Sequence, residues 1–429
     1  MSDASVMDQA MQQQEDLQAG TDTPMSLPIL DALAKLLAEA TRTRSAYTGG
    51  HSDRVPEIAL ALLDATIATQ TGPFADFALT ASERETFRLA AWLHDCGKLL
   101  CADPILDKAT KLEAVQNRIH EIRTRFEVLW RDIELDYWRE LHAGGDAQAL
   151  DTKRRNAQQT LQEEFDFIAR VNTGNKPLHA GDHARLRAIG ARTWTPYFDR
   201  SLGLSREEQM RQAEGGIASL PARERLLADR PEHVVPWGDD APPVTRDDPR
   251  NHWGFDMQLP PHAAHHGELH NLGVLRGTLN DAERFHAHSH AVHTMTMLST
   301  LPLSGDFAAL PALAANHHER PDGSGYPRRL RGDALGIPDR ILAIADIFEA
   351  LTANDRPYKP PYSLAQTLET MQGMVRAGHI DADLFALFLR SGVYRRYVDL
   401  HLPGEPVLDV ETYLDVPRNP QVHRAAGKA

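Results

Sequence analysis

The feature that most constrains the fold is the spacing of apolar residues, which recur every three or four positions along much of the chain. The stretch "LPILDALAKLLAEATRT", which begins at Leu27, shows this spacing, and "VPEIALALLDATIATQ", from Val55, repeats it. Such spacing is typical of amphipathic helices that bury one apolar stripe. Alternating patterns typical of strands are nearly absent, so the sequence predicts an all-α fold.

Two helix starts carry a capping-box pattern, in which a hydroxyl residue precedes Glu or Gln by three positions. Ser82 with Glu85 predicts the start of the helix that leads into "AAWLHDCGK". Ser363 with Gln366 predicts the start of a later helix.

The middle of the chain has a different character. One periodic run precedes Gly144-Gly145 and a second follows it, so we expect an antiparallel helical hairpin. A Pro-rich, irregular stretch over 219–262 then predicts a long loop that returns to the main body. The first run passes through Leu112, Val115, Ile119, Ile122, Phe126, Leu129 and Ile133, and the second through Ala157, Leu161, Phe165, Ile168 and Val171.

These patterns divide the 429 residues into a helical domain interrupted by an insertion. The predicted segments are a disordered N-terminal lead over 1–26, the first part of the domain over 27–102, the hairpin and loop over 103–268, the second part of the domain over 269–390, and a C-terminal tail over 391–429.

Composition narrows the classes of partner and compartment. The formal net charge of −14 argues against broad binding to nucleic acid or to anionic membranes. No apolar run approaches the length of a membrane-spanning helix, and the N-terminus lacks a signal-peptide pattern. Cys96 and Cys101 form neither a CxxC pair nor a disulfide framework, so we expect a cytoplasmic protein.

Histidine is the outlier in this composition, with 21 residues, of which 11 lie between His252 and His318. Imidazoles and carboxylates held on rigid elements are the ligands of metal sites without cysteine, and such a mixture suits Fe, Mn or Ni better than Zn. Four segments offer these groups. They contain His51, His94-Asp95, His317-His318 and Asp346.

Asp346 is the most informative of these positions, because it is the only charge between Arg340 and Glu349 in an otherwise apolar helix. A buried carboxylate is costly unless it is paired or coordinated, so a metal and a buried arginine are both open as its partner. His94 lies on the apolar stripe of its helix, where a histidine satisfied by an ordinary hydrogen bond is the simpler alternative to a ligand.

Four blocks taken together resemble the HD-GYP family, a branch of the HD phosphohydrolase superfamily. They are "GGHSDRV", "HDCGK", "HHERPDGSGYP" and "RILAIADIFEALTANDRPYK", in the family's order. The resemblance covers roughly 27–101 and 270–376. It implies an α-helical HD-domain bundle, interrupted here by the hairpin insertion, with a binuclear metal centre.

The resemblance also implies the ligands. The central histidine is chosen by its spacing of eleven residues from Leu279, which selects His290 over His286, His288 and His293. Asp95 would bridge the two metals and activate a water between them. The implied ligands are His51, His94, Asp95, His290, His317, His318 and Asp346.

Two divalent ions, Fe or Mn, are the implied cofactors. Some relatives carry a glutamate four residues before the first histidine, and this glutamate supports a third metal. Tyr47 occupies that position here, which favours two ions.

Substrate contacts are predicted on both sides of the centre. Lys98, one turn after the HD pair, would contact a phosphate and share the catalytic role with Asp95. Arg356 and Lys359 would contact a second phosphate. In the loop, Gly325 would allow close approach to the ligand and Tyr326 would stack on or hydrogen-bond the nucleotide, although a plain helix-connecting turn is the alternative.

The activity implied by the resemblance is hydrolysis of the bacterial second messenger cyclic di-GMP to pGpG, GMP or both. Two alternatives stay open: an HD phosphohydrolase for another cyclic dinucleotide or nucleotide, and a non-catalytic regulator that binds cyclic di-GMP. The 103–268 insertion also permits a homodimer or a signalling partner, although an internal core is the simpler use of its apolar seam.

Overall fold

The computed structural model describes residues 25–44, 46–213, 219–239, 241–353 and 361–414. Helices dominate these residues, and the strands are two-residue segments, so the predicted all-α class is confirmed. No helix in the described ranges is long and apolar enough to cross a membrane. The predicted disordered lead lies almost wholly outside the described residues.

The α-helices are numbered in chain order. They are α1 Leu27–Arg44, α2 Ala46–Ile67, α3 Ala81–Leu93, α4 Asp103–Leu106, α5 Ile119–His142, α6 Ala147–Asn172, α7 Ala180–Gly190, α8 Arg206–Ala213, α9 Glu268–Leu272, α10 Asp281–Leu298, α11 Leu310–Ala315, α12 Ile337–Thr352, α13 Leu364–Ala377, α14 Ala382–Arg390 and α15 Val393–His401.

The described strands form two separate antiparallel pairs. β1 (Thr193–Trp194) pairs with β2 (Glu224–Arg225), and β3 (Val234–Val235) pairs with β4 (Ala264–His265).

The chain divides into two compact units. The first comprises residues 1–101, 243–258 and 288–429, and the second comprises 102–242 and 259–287. The second unit therefore overlaps the predicted insertion over 103–268, but the stretch 243–258 belongs to the first unit.

The first unit is built around α2 and α12, whose apolar faces pack together in the largest core cluster. Phe348 and Leu62 are fully buried there. Tyr394 and Val398 of α15 lie in the same cluster, so the helical bundle continues beyond residue 390, where the sequence predicted a tail.

The caps of two helices test the predicted starts. Ser363 caps α13 together with Gln366, as predicted. The start predicted at Ser82 is wrong, because Thr80 and Glu83 form the capping box and α3 begins at Ala81. Two overlapping boxes compete at this point, and once the earlier one closes, Ser82 lies inside the helix.

In the second unit α5 and α6 run antiparallel. Lys153 Nζ lies 2.6 Å from a Glu140 carboxylate near the loop, and farther along the pair the Phe126 and Phe165 rings are 5.4 Å apart. The predicted seam begins too early, because Val115 precedes α5 and is 92% exposed.

Candidate metal centre

All seven residues predicted as metal ligands lie in the first unit, and the structure brings them together. Each sits on a helix or at a helix end, where the backbone fixes its direction. His51 is on α2, His94 caps the end of α3 and Asp95 follows it, His290 is on α10, His317 and His318 are in the turn after α11, and Asp346 is on α12.

One side of the centre gathers around His51. Its Nε2 lies 3.1 Å from Asp346 Oδ1, 3.3 Å from Asp95 Oδ2 and 3.4 Å from His94 Nε2. Nitrogen or oxygen atoms of His51, His94 and Asp346 all lie within 4.8 Å of one another, and all three residues are buried. These atoms could hold a metal ion.

The other side gathers three histidines in the same way. His290 Nε2 lies 3.4 Å from His317 Nε2 and 3.5 Å from Asp95 Oδ1. His290, His317 and His318 also offer ligand atoms within 4.8 Å of one another. Asp95 thus directs Oδ1 to this group and Oδ2 to the group around His51.

Backbone carbonyls fix the orientation of two rings. His94 Nδ1 donates to the Ala91 carbonyl at 2.8 Å, and His317 Nδ1 donates to the Ala314 carbonyl at 2.8 Å. Because a carbonyl only accepts, the proton sits on Nδ1 and the Nε2 lone pair faces the centre. Burial lowers the pKa of His94 to about 4, so this ring is neutral and ready to bind a cation near neutral pH.

The carboxylates are charged despite their burial. Burial raises the pKa of Asp95, but the charge of Lys98 and the hydrogen bond from His51 outweigh it and hold that pKa well below its ordinary value. Burial likewise raises the pKa of Asp346, and the hydrogen bond from His51 reverses the shift. Two buried carboxylates require positive charge, and the imidazole nitrogens beside them complete a donor set of nitrogen and oxygen that fits a divalent metal.

Sequence reasoning missed the residues that support His51. The Nδ1 of His51 hydrogen-bonds the buried Glu349 carboxylate, and Arg54 Nε donates to the same carboxylate at 2.6 Å. An outer carboxylate of this kind orients a ligating imidazole and raises its basicity. The available signal was spacing, since Glu349 follows Asp346 by three residues and therefore shares its helix face.

Close packing positions the HD segment, residues 94–98, against α10. A Cβ added at Gly97 would lie 2.0 Å from the His290 carbonyl oxygen, so only glycine fits there. The Thr294 hydroxyl accepts from the Gly97 N–H at 3.0 Å and donates to the His94 carbonyl at 3.1 Å. These contacts set the separation of His94 and His290.

The loop after His318 packs tightly beside the centre. Gly325 lies against the backbone of residues 318–320, so its missing side chain serves close approach within the loop. The Tyr326 ring stacks on His288 with centroids 4.1 Å apart. Burial raises the pKa of Tyr326 well above its ordinary value, so the phenol is a neutral hydrogen-bond donor. With one ring face covered, this geometry favours hydrogen bonding over stacking as its contact with a ligand.

The remaining predicted residues have varied positions. Lys98 Nζ lies 2.5 Å from Asp95 Oδ2, and its side chain is 17% exposed. His286 hydrogen-bonds the Ala263 carbonyl in the second unit. Arg356, Lys359 and the side chain of Tyr47 lie outside the described residues.

Comparison with known proteins identifies the family. A family model for the HD domain matches residues 221–384, which contain His290, His317, His318 and Asp346. His94 and Asp95 precede this match, on the other side of the second unit in sequence. The chain belongs to the HD-GYP family.

Three relatives with established names match parts of this HD-GYP protein. A 3'3'-cGAMP-specific phosphodiesterase 1 of Vibrio cholerae is 28% identical over 59% of this chain and 54% of its own length. A cyclic di-GMP phosphodiesterase of Pseudomonas aeruginosa is 30% identical over 30% of this chain and 32% of its own length. A cyclic di-GMP phosphodiesterase response regulator of Xanthomonas campestris is 48% identical over 13% of this chain and 15% of its own length. The aligned regions thus span about half of the first relative's length and less of the others.

Proposed function

We propose that this HD-GYP protein is a metal-dependent phosphodiesterase that hydrolyses a cyclic dinucleotide. The observation that carries the proposal is the position of Asp95, whose two oxygens face two different groups of histidines. A carboxylate placed in this way can bridge two cations. The names of the relatives support the same class of reaction.

The residues that would hold the ions are those brought together by the structure. His51, His94 and Asp346 would hold one ion and His290, His317 and His318 the other, with Asp95 shared. Two bound ions, Fe or Mn, would supply charge neutralisation at the phosphoryl oxygens and a more acidic water.

The protein's own groups would orient the substrate. Lys98 is a cation beside Asp95 with part of its side chain at the surface, so it can donate to a phosphate oxygen. The neutral Tyr326 phenol can donate a hydrogen bond at the rim of the same site. The backbone carbonyls behind His94 and His317 would keep the two rings in place during turnover.

The substrate we propose first is cyclic di-GMP, hydrolysed to pGpG, GMP or both. 3'3'-cGAMP is the second candidate, because the relative aligned over 59% of the chain is named for that substrate. Both molecules contain two phosphodiesters in a ring of two nucleotides, so the residues around the centre can serve either, and the bases must provide the discrimination.

The test is an anaerobic assay of the full chain, reconstituted separately with Fe and with Mn and supplied with each cyclic dinucleotide. Product separation should reveal a linear dinucleotide or mononucleotide, and the ratio of kcat/KM values ranks the two substrates. A variant with His94→Ala and Asp95→Ala is the matched control and should lose both metal and turnover.

Tight binding of cyclic di-GMP without turnover by the metal-loaded protein would instead support a non-catalytic regulator. Full activity of the double variant would overturn the assignment of the centre.

A further inference from the structure

A cavity lies entirely within the second unit, and it shares no residue with the metal centre. Its volume is about 420 Å³, which is within the range of small-molecule sites. It lies between α5, the segment after β1 and the start of α9. Trp194, Tyr197 and Phe198 form its aromatic part.

The aromatic part is unusually open to solvent. Tyr197 is 72% exposed and Phe198 is 89% exposed, although both line the cavity. Two large neighbouring rings left in water lose the free energy that burial of apolar surface would give. A planar ligand seated against them would recover it.

One N–H group in the lining, that of His233, points to the polar character of the ligand. The Trp194 indole nitrogen is closed off from the cavity, so this residue contributes only its ring to the lining. His233 Nδ1 accepts from the Arg230 backbone N–H at 3.3 Å, so its ring proton lies on Nε2. Burial lowers the pKa of His233 to about 4, so the ring stays neutral.

The charges in the lining balance one another. Four arginines line the cavity together with four carboxylates. Arg125 lies 2.5 Å from Glu268, and Arg230 lies 2.5 Å from Glu224. Arginines already paired in this way offer no net positive field, so the cavity is poorly suited to a ligand with several phosphates.

We propose that this cavity binds a small planar aromatic molecule, neutral or with a single negative charge, that carries hydrogen-bond acceptors. The rings of Tyr197 and Phe198 would cover its flat surface, and the His233 Nε2–H would donate to an acceptor. The proposal does not depend on the phosphodiesterase activity, because the cavity and the metal centre share no residue.

The test measures binding to the full chain by calorimetry with three probes. Indole-3-carboxylate represents the proposed class, cyclohexanecarboxylate has the same charge without the aromatic ring, and guanosine monophosphate adds a doubly charged phosphate. We expect saturable binding of indole-3-carboxylate and at least about tenfold weaker binding of the other two.

Variants locate the binding. Phe198→Ala removes an exposed ring that contributes little to the core, and it should weaken indole-3-carboxylate about tenfold. His233→Phe keeps a ring and removes the donor, and it should weaken the same probe by a similar factor. Trp138→Ala is the matched control, since Trp138 is exposed on α5 but is not in the cavity lining, and it should leave binding unchanged.

Three results would overturn the proposal. They are absence of saturable binding of indole-3-carboxylate, equal affinity for cyclohexanecarboxylate, and equal loss of binding in the Phe198 and Trp138 variants. Because binding is measured directly, the double variant at His94 and Asp95 should still bind indole-3-carboxylate even if it has lost all turnover.

Discussion

Asp95 is the residue on which the two halves of the candidate metal centre depend. Its Oδ1 lies 3.5 Å from His290 Nε2, and its Oδ2 lies 3.3 Å from His51 Nε2. A terminal ligand would serve one group only, whereas this side chain reaches both. Loss of Asp95 would therefore affect both groups of ligands, whereas loss of a single histidine would affect one.

Replacing Asp95 by Asn tests this dependence without changing the size of the side chain. The amide retains one oxygen and loses the charge, so we expect less bound metal and about 1,000-fold lower kcat/KM. Elemental analysis and the cyclic dinucleotide assay provide the readouts. Asp333→Asn, at an exposed position of the same unit, is the control. Normal metal content in the Asp95 variant would contradict a shared role.

A substitution at Glu349 tests whether the carboxylate that hydrogen-bonds His51 contributes to metal affinity. Glu349→Gln keeps a hydrogen-bond acceptor for His51 but removes the charge, and we expect about 10- to 100-fold weaker metal binding. Competition with a chelator measures the affinity. Glu369→Gln on the exposed face of α13 should have no effect. Unchanged affinity in the Glu349 variant would show that His51 is held by packing alone.

At the scale of elements, the sequence predicted the first residue of a helix correctly where only one capping signal was present. Ser363 had no competitor and caps α13, whereas Ser82 lost to Thr80, which offers the same chemistry two residues earlier. Val115 continued the apolar spacing but precedes α5, because spacing alone does not show where a helix begins.

The residues of the candidate site could also be predicted only where a local sequence signal marks them. Its seven principal residues could be predicted because six of them lie in short motifs of a family pattern and His290 lies at a fixed spacing from Leu279. Arg54 and His288 could not, since their contacts with Glu349 and Tyr326 join segments distant in sequence.

The close contact between the HD segment and α10 predicts that a larger residue at Gly97 would disturb the packing of this helix. Gly97→Ala would force a Cβ into the His290 carbonyl, so we expect destabilisation by about 1–3 kcal/mol or more and impaired metal binding. Gly373→Ala is the matched control, because a Cβ there meets no atom within 4 Å. In the middle of α13 that change should stabilise the protein by about 1 kcal/mol. Chemical denaturation measures both, and equal effects would contradict the close-packing argument.

At the scale of the whole molecule, each unit has its own apolar core and its own buried charges. The second unit contains a core cluster centred on Ile122 and Ile168, and Arg125 and Glu268 form a buried ion pair beside it. Burial raises the pKa of Glu268, but the hydrogen bond from Arg125 outweighs this and lowers it below 4.5. Glu268 therefore stabilises the folded state above the unfolded-state pKa, and this contribution is lost as pH falls through the lower, folded-state pKa.

Glu268→Gln should accordingly destabilise the protein by roughly 1–3 kcal/mol near neutral pH, because Arg125 loses its nearest carboxylate and keeps only that of Glu121, 3.8 Å away. The difference from the unmodified chain should shrink as the pH falls from about 4.5 through the lower folded-state pKa, at which Glu268 itself becomes neutral. Urea denaturation at several pH values measures this. Glu140→Gln at the exposed pair with Lys153 should change stability by less than about 1 kcal/mol. A difference that grows in acid would contradict the assigned sign.

The second unit also contains the cluster of histidines that could compete with the candidate centre for metal. His265 and His270 stack with ring centroids 3.8 Å apart, yet the described residues there contain no group able to hold a metal.

We therefore expect bound metal to protect the backbone amides of the first unit only from hydrogen exchange. Binding at a hundredfold excess over Kd stabilises a folded unit by about 2.7 kcal/mol, and amides that exchange only through global opening of that unit slow by about 100-fold. Hydrogen exchange read by mass spectrometry should show this slowing in α2 and α12 but not in α5 and α6. The His94→Ala and Asp95→Ala double variant should show none, and protection around His265 would mean that the histidine-rich stretch, and not the seven gathered residues, binds the metal.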